Sequence, residues 1–305
     1  MSIVNTIKGP IPSRELGFTY THEHLVCFPP RPAMKDDPDY QLPSTSKAIE
    51  ELEYFYAAGG RTLVEGTARD YGRDVMAMNE IAQKTAVNII FCTGYNKSRF
   101  YDNETLKASE GELADLMIKE LTEGVGDTGL KPGYIKCGSW YNVITPEEEK
   151  VTKAAAKAHL ATKAPIWVHT EAGTMGLEQL DILEAAGVNL HKVCVGHMDR
   201  NPDLWLHCEV AKRGAYVGYD GPGKVKYFPD SVRIELIKGM IAKGFQDRLL
   251  ISGDMGRQSY LRAYHGGPGF EYIIKKFIPR MLAEGIAQSY IDQIWVENPA
   301  EWLGV

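Results

Sequence analysis

The sequence lacks the features that mark secreted and membrane proteins. Its cysteines are an odd number with no Cys-x-x-Cys spacing, namely Cys27, Cys92, Cys137, Cys194 and Cys208. Such cysteines fit reduced thiols and argue against a disulfide framework or a thiolate zinc site. No apolar run approaches the length of a membrane span, and the first ten residues have no apolar core of the kind a signal peptide needs. We therefore expect a cytoplasmic protein.

The sequence also lacks an excess of positive charge. Its formal net charge is -6 and no Lys/Arg run dominates any segment, which argues against nucleic acid or an anionic membrane as the main partner. A small-molecule substrate is the expected partner. A homodimer remains open, because the C-terminal Trp302 and Leu303 could serve either a core or an interface.

What the chain does have is a rhythm of short β-branched runs, each followed by an amphipathic stretch with helical spacing. We count eight such runs, at 17–21, 61–66, 87–95, 133–138, 165–170, 192–197, 215–219 and 248–254. Strands that alternate with helices form parallel βαβ units, and eight units in about 250 residues or more are typical of a TIM barrel. We predict the α/β class, with residues 1–305 forming one (β/α)8 barrel domain.

Three long loops follow predicted strands 1, 7 and 8. They cover residues 27–44, 220–227 and 256–268, and the first and last are rich in Pro, Asp or Gly. They emerge at the carboxyl ends of the strands, the face where such barrels carry their active sites.

Ionisable residues lie at the same ends of five strands. His22 and His24 end the first strand, where side chains two apart share a face. The others lie in or end the fourth, fifth, sixth and eighth strands, namely Lys136, His169, His197 and Asp254. An isolated His-x-His pair is more often ordinary than metal-binding, but its coincidence with four further strand-end ligands favours a metal site. We interpret His159, His191 and His207, which lie in helices and a loop, as ordinary residues.

These segments resemble the phosphotriesterase family of the amidohydrolase superfamily. The similarity runs through GFTYTHEH at 17–24, YIKCG at 134–138, WVHT at 167–170, VGHMD at 195–199 and ISGD at 251–254. The resemblance implies two divalent metal ions, zinc foremost with manganese or cobalt as alternatives. His22, His24 and Asp254 would bind the buried ion, His169 and His197 the outer one, and Lys136, carboxylated on its side-chain nitrogen, would bridge both. The alternative for Lys136 is a buried ammonium paired with an acid such as Glu65.

The resemblance also implies a mechanism of ester hydrolysis. Water shared by two metals would have its pKa lowered toward roughly 7 and so supply a hydroxide nucleophile at neutral pH. Asp254 would carry the proton to the leaving oxygen. Tyr95 ends the third strand and resembles a tyrosine that points at the metals in lactone-hydrolysing relatives. An aromatic cap on the barrel mouth is an equal alternative.

The loops after strands seven and eight indicate the substrate. Lys224, Lys226, Tyr227 and Arg257 place cations and donors where barrels often bind phosphate. We predict a lactonase that opens a phosphorylated sugar 1,4-lactone, the substrate of one subgroup of the family. The alternatives are an organophosphate triesterase, a hydrolase of acyl-homoserine or other uncharged lactones that uses Phe28 and neighbouring prolines, and a non-catalytic metal-binding barrel. A deaminase or another amidohydrolase of the superfamily is a further option.

Overall fold

A computed structural model describes residues 2–34 and 37–305 of the chain. Residues 35 and 36 of the predicted first loop, and Met1 of the predicted domain, lie outside the described residues. The described part opens with an antiparallel hairpin that the sequence did not predict, formed by β1 (Ile3–Thr6) and β2 (Gly9–Pro12).

Eight strands follow in one parallel sheet, paired in the order of the chain. They are β3 (Thr19–Glu23), β4 (Thr62–Glu65), β5 (Asn88–Gly94), β6 (Tyr134–Gly138), β7 (Ile166–His169), β8 (Val193–Val195), β9 (Tyr216–Tyr219) and β10 (Leu249–Ile251). Backbone N of Asp254, just after β10, donates to the carbonyl of His22 in β3 at 3.0 Å. The first and last strands thus meet, and the predicted (β/α)8 barrel is confirmed.

Helices alternate with the strands on the outside of the sheet. They are α1 (Arg31–Met34), α2 (Thr45–Ala58), α3 (Val75–Lys84), α4 (Asn103–Lys107), α5 (Glu110–Thr122), α6 (Pro146–Thr162), α7 (Gly176–Ala185), α8 (Leu204–Lys212), α9 (Asp230–Ala242), α10 (Ile278–Ala283), α11 (Gln288–Asp292) and α12 (Asn298–Leu303). π-helical segments at Ile273–Phe277 and Gln293–Glu297 precede α10 and α12.

Local signals in the sequence explain where helices begin. At α6 the hydroxyl of Thr145 accepts from the backbone N of Glu148, and the Glu148 carboxylate accepts from the backbone N of Thr145. This reciprocal cap, followed by Pro146 in the first turn, satisfies donors that a helix start leaves free.

The core fills the barrel and the layer between sheet and helices. Trp167 of β7 lies inside the barrel with its ring 5.8 Å from that of Trp302, which is fully buried in α12. Trp302 and Leu303 are therefore core residues. Within the described residues, no helix combines the length and hydrophobicity that crossing a bilayer would require.

Candidate metal centre

The carboxyl ends of β3 and β10 bring His22, His24 and Asp254 together. Oδ1 of Asp254 lies 3.3 Å from Nε2 of His24 and 3.6 Å from Nε2 of His22. One potential ligand atom from each residue lies within 4.8 Å of the others. Nitrogen and carboxylate oxygen donors at this spacing suit a first-row divalent cation.

His169 and His197, at the ends of β7 and β8, form the other half of the cluster. Nδ1 of His169 and Nε2 of His197 are 2.8 Å apart. His22 also lies within 4.8 Å of His197 and Asp220, measured between potential ligand atoms. The four histidines predicted at strand ends therefore converge on one place.

Three of these histidines have a polar neighbour on the ring nitrogen that points away from the cluster. Nδ1 of His24 lies 2.8 Å from Oγ1 of Thr67, and Nε2 of His169 lies 3.4 Å from Oε2 of Glu171. Nδ1 of His197 lies 2.6 Å from Oδ2 of Asp220, in ion-pair range but outside hydrogen-bond angles. Partners of this kind orient a metal-binding imidazole and select its tautomer.

Burial lowers the pKa of three of these imidazoles, those of His22, His169 and His197, and so keeps them neutral. It holds the pKa of His22 and of His197 well below the usual value, and repulsion from Lys136 acts in the same direction on both. Burial also lowers the pKa of His169 to about 4. A neutral imidazole is the form that binds a metal.

Lys136 projects from β6 into the same interior and is almost fully buried. Its Nζ donates to the carbonyl of Gly66 at 2.5 Å, and no acid of the described chain pairs with it within 4.0 Å. The carboxylate of Glu65 accepts instead from Thr67 and from the backbone N of Leu25. The alternative in which Glu65 neutralises Lys136 therefore does not describe this structure.

Asp254 is surrounded by cations. Nζ of Lys224 donates to its carboxylate at 3.1 Å, and the guanidinium of Arg200 forms a short ion pair with it. Although burial alone would raise the pKa of Asp254, Lys224, His24 and Arg200 hold it well below the usual value. The sequence analysis did not predict Arg200 as a site residue. Its position three residues after His197 was the feature that could have indicated it.

Glu23 was also missed as a site residue. It is fully buried, and it accepts from the hydroxyl of Ser252 and from the backbone N of Gly253 and Met255. These contacts bracket Asp254, whose φ of 46° lies in the left-handed region. Glu23 therefore holds the segment that presents Asp254 to the histidines.

The cluster opens into a cavity of about 240 Å³. The predicted substrate residues Lys224, Tyr227 and Arg257 line it. The guanidinium of Arg257 stacks on Tyr40, with Cζ 3.7 Å from the ring centre, and its Nη1 lies 3.4 Å from Oδ2 of Asp39. Lys226 is exposed at the rim, with Nζ 4.9 Å above the ring of Tyr260.

Tyr95 is not brought to this cavity. It is 2% exposed, its ring packs edge-on against Tyr101 at 5.7 Å, and it is not among the lining residues of the described chain. Its catalytic role remains a prediction that this arrangement does not favour.

The opposite wall of the cavity carries residues that the sequence did not single out. Lys97, Trp140 and Glu171 line it, and Lys97 forms a short ion pair with Glu171. They lie in the loops after β5, β6 and β7. Their position shortly after a strand was the only feature of the sequence that could have identified them as site residues.

Comparison with known proteins identifies the family of this chain. The model of the phosphotriesterase family matches residues 2–303. The chain belongs to the phosphotriesterase family. Among curated members it is 34% identical to a phospho-furanose lactonase of Mycoplasmopsis agalactiae, covering 98% of this chain and 91% of the relative. It is 32% identical to an N-acetyltaurine hydrolase of Xenopus tropicalis, covering 98% of this chain and 97% of the relative.

Solved structures of the family share the whole architecture. A lactonase from Listeria monocytogenes superposes with a TM-score of 0.95 at 38% identity, covering 99% of both chains. The phosphotriesterase homology protein of Escherichia coli, solved with phosphate in its active site, gives a TM-score of 0.91 at 36% identity, covering 94% of this chain and 99% of that one.

Proposed function

We propose that this protein is a metal-dependent hydrolase that opens a lactone ring, with a phosphorylated sugar 1,4-lactone as its substrate. The observation that carries the proposal is a cluster of four histidines and Asp254 at the floor of a cavity whose rim holds Arg257 and Lys226. The names of the M. agalactiae and L. monocytogenes relatives and the phosphate in the E. coli structure support it.

The donor atoms on this chain fit two divalent metals. His22, His24 and Asp254 would hold one, His169 and His197 would hold the other, and carboxylated Lys136 would bridge them. Carbon dioxide added to the buried amine of Lys136 would give an anionic group with two oxygens, which can span two cations. The metals, zinc foremost, would supply Lewis acidity and a water-derived nucleophile at neutral pH.

Asp254 would move the proton in this reaction. Lys224 and Arg200 keep its carboxylate ionised, so it can accept a proton at neutral pH. It would then return that proton to the leaving oxygen of the opened ring.

The phosphate would bind at the rim formed by the loops after β9 and β10. Lys224 is buried and donates to Asp254. Of the two lysines predicted for the phosphate, Lys226 would therefore be the one that contacts it. The hydroxyl of Tyr260 is buried without a hydrogen-bond partner, so it can donate to the same group. Arg257 would exchange its contact with Asp39 for a bidentate contact with phosphate.

Arg257→Ala tests the phosphate preference. We expect kcat/KM for phosphorylated lactones to fall by about 2 kcal/mol, or roughly thirtyfold, because a charge-assisted pair is lost. Plain lactones should change much less. Arg257→Lys, which keeps the charge but not the fork, should lie between the two, and equal losses on both substrates would contradict the phosphate contact.

Lys136→Ala tests the bridge. Metal analysis of the purified variant should find fewer than two ions per chain, and activity should fall by at least about a hundredfold, since even outer partners of metal ligands contribute 10–100-fold. A variant that retained both ions and full turnover would remove the bridging role. Wild-type protein that folds with no metal and still hydrolyses lactones would overturn the metal mechanism itself.

Amide hydrolysis is the second candidate. The N-acetyltaurine hydrolases among the relatives point to it, and the cations of the rim suit a sulfonate as well as a phosphate. A panel of phosphorylated lactones, plain lactones, organophosphate triesters and N-acyl taurines decides between the functions. Metal-dependent folding without turnover of any of them would favour a non-catalytic barrel.

A further inference from the structure

The cavity has a second polar wall. Strand order follows the chain around the barrel, so the loops after β5, β6 and β7 lie across the mouth from those after β9, β10 and β3. The first three loops carry Lys97, Trp140 and Glu171. Of the opposite three, the loops after β9 and β10 carry the residues assigned above to the phosphate. The proposed metal ligands lie between the two walls.

Lys97 is buried in this second wall between aromatic rings. It is 7% exposed, and its Nζ lies 4.5 Å from the ring centre of Trp140 and 4.9 Å from that of Phe100. Glu171 completes the arrangement with Lys97. Its side chain is 30% exposed and its Oε2 also lies 3.4 Å from Nε2 of His169.

The chemistry of this pair suits hydroxyl groups. An ammonium donates, a carboxylate accepts, and a hydroxyl can do both. Glu171 and Asp254 are the two carboxylates among the described residues that line the cavity, and Asp254 is assigned to the metals. Arg99 adds a further cation to this wall, but Glu171 would repel a phosphate placed against the pair. Ring hydroxyls can hydrogen-bond to both Lys97 and Glu171.

We infer that Lys97 and Glu171 form a subsite that binds ring hydroxyls of the substrate, so that this protein selects hydroxylated lactones over deoxy lactones. The inference rests on the proposed lactone hydrolysis but not on the phosphate. The substrate would be held at both ends, by its phosphate at the β9–β10 rim and by its hydroxyls at Lys97 and Glu171.

Four lactones test the inference, with and without ring hydroxyls and with and without a terminal phosphate. We expect metal-loaded wild type to prefer the hydroxylated member of each pair by about tenfold or more in kcat/KM, equivalent to ~1.4 kcal/mol. Lys97→Met should bring this ratio close to one and leave the ratio of phosphorylated to plain lactone unchanged. Arg257→Ala should do the reverse. Lys119→Met, an exposed lysine of α5, is the control and should match wild type.

Each outcome supports or overturns the inference. A wild type without hydroxyl preference, or a Lys97→Met protein that keeps it, overturns the inference. Hydroxyl preference without phosphate preference supports this subsite and contradicts the phosphate rim. If no lactone is turned over, calorimetric binding of an aldonate and its deoxy analogue decides, and equal affinities overturn the subsite. Glu171→Gln replaces Lys97→Met if the latter does not fold, and it must lower the same ratio.

Discussion

At the scale of single residues, the site depends on glycines that leave room for imidazole rings. A Cβ at Gly66 would lie 2.3 Å from Cε1 of His22, and the ring of His22 stacks on that of Trp167 at 4.7 Å. A side chain at Gly66 would therefore force the His22 ring to move and disturb its packing. The absence of a side chain at Gly66 is as much part of the site as the ligands are.

Gly66→Ala should accordingly displace His22. We expect a misplacement on the order of 1 Å to lower kcat/KM by about a hundredfold and to weaken metal binding, measured by titration with a chelator. Gly111→Ala is the matched control, because the nearest atom to its Cβ in α5 is 3.9 Å away. That change should leave metal binding intact and raise stability slightly, since alanine favours a helix. Wild-type metal affinity in Gly66→Ala would contradict this account.

Two proposed ligands also have unusual backbone conformations. His197 and Asp254 have φ of 61° and 46°, in the region that usually favours glycine. His197 lies two residues after the end of β8, and Asp254 lies three residues after the end of β10. At each position the chain turns, and the side chain points to the cluster of proposed ligands. The sequence predicted these two ligands but not the turns.

At the scale of elements, buried hydrogen bonds fix the start of the loop after β9. The guanidinium of Arg233 in α9 donates to Asp199 at 2.6 Å, and Asp199 accepts from the backbone N of Asp220 at 3.1 Å. A Cβ at Gly221 would lie 2.1 Å from the Arg233 guanidinium. This buried network sets where the loop leaves the barrel and hence where Lys224 and Lys226 stand.

Lys226 should make phosphate preference depend on pH. Partial burial, together with repulsion from Arg257, Lys224 and Arg200, lowers the pKa of Lys226 to about 8. The ammonium of Lys226 is present below that pH and is lost as the pH rises through it. A phosphate monoester, with a second pKa of about 6, stays doubly charged over the same pH range. We expect KM for phosphorylated lactones to rise between about pH 7 and 9 relative to plain lactones.

Two variants separate this effect from others. Lys226→Met should have the high KM throughout the pH range, and Lys226→Arg should keep the low KM to higher pH, because arginine does not titrate there. The same pH step in Lys226→Met would assign the titration to another group.

At the scale of the whole molecule, the site lies where the barrel closes. Ser252 and Asp254 of the last strand region donate to the carbonyl of His22 in the first, at 2.7 and 3.0 Å. An ion held by His22, His24 and Asp254 would therefore link residues 230 to 232 positions apart in sequence and add to these bonds.

Metal should therefore stabilise the whole barrel. A ligand that binds only the folded state at 100 times its dissociation constant adds ~2.7 kcal/mol to the free energy of unfolding, so the melting temperature should rise by several degrees with added zinc. Calorimetry of chelator-treated and metal-loaded protein measures this shift. Asp254→Asn should show a smaller rise, and a melting temperature independent of metal would contradict the link.

Much of this protein was predictable from its sequence. The strands Thr62–Glu65 and Ile166–His169 lie inside the predicted runs, because buried parallel strands read as continuous apolar segments. The strand-end histidines were also recognisable, since the ends of parallel strands meet on one face. The family resemblance and the short motifs around His22 and His197 rest on local sequence as well.

Tertiary structure alone decided what depends on contacts between distant loops. Lys97 and Glu171 are 74 residues apart, and nothing local to either marks them as a pair. The same holds for Glu23 with Ser252 and for Arg200 with Asp254. Tyr95 directly follows β5, yet its ring packs against Tyr101 and is not among the described residues that line the cavity. Periodicity specifies which face a residue occupies, whereas closure of the barrel determines which residue it meets there.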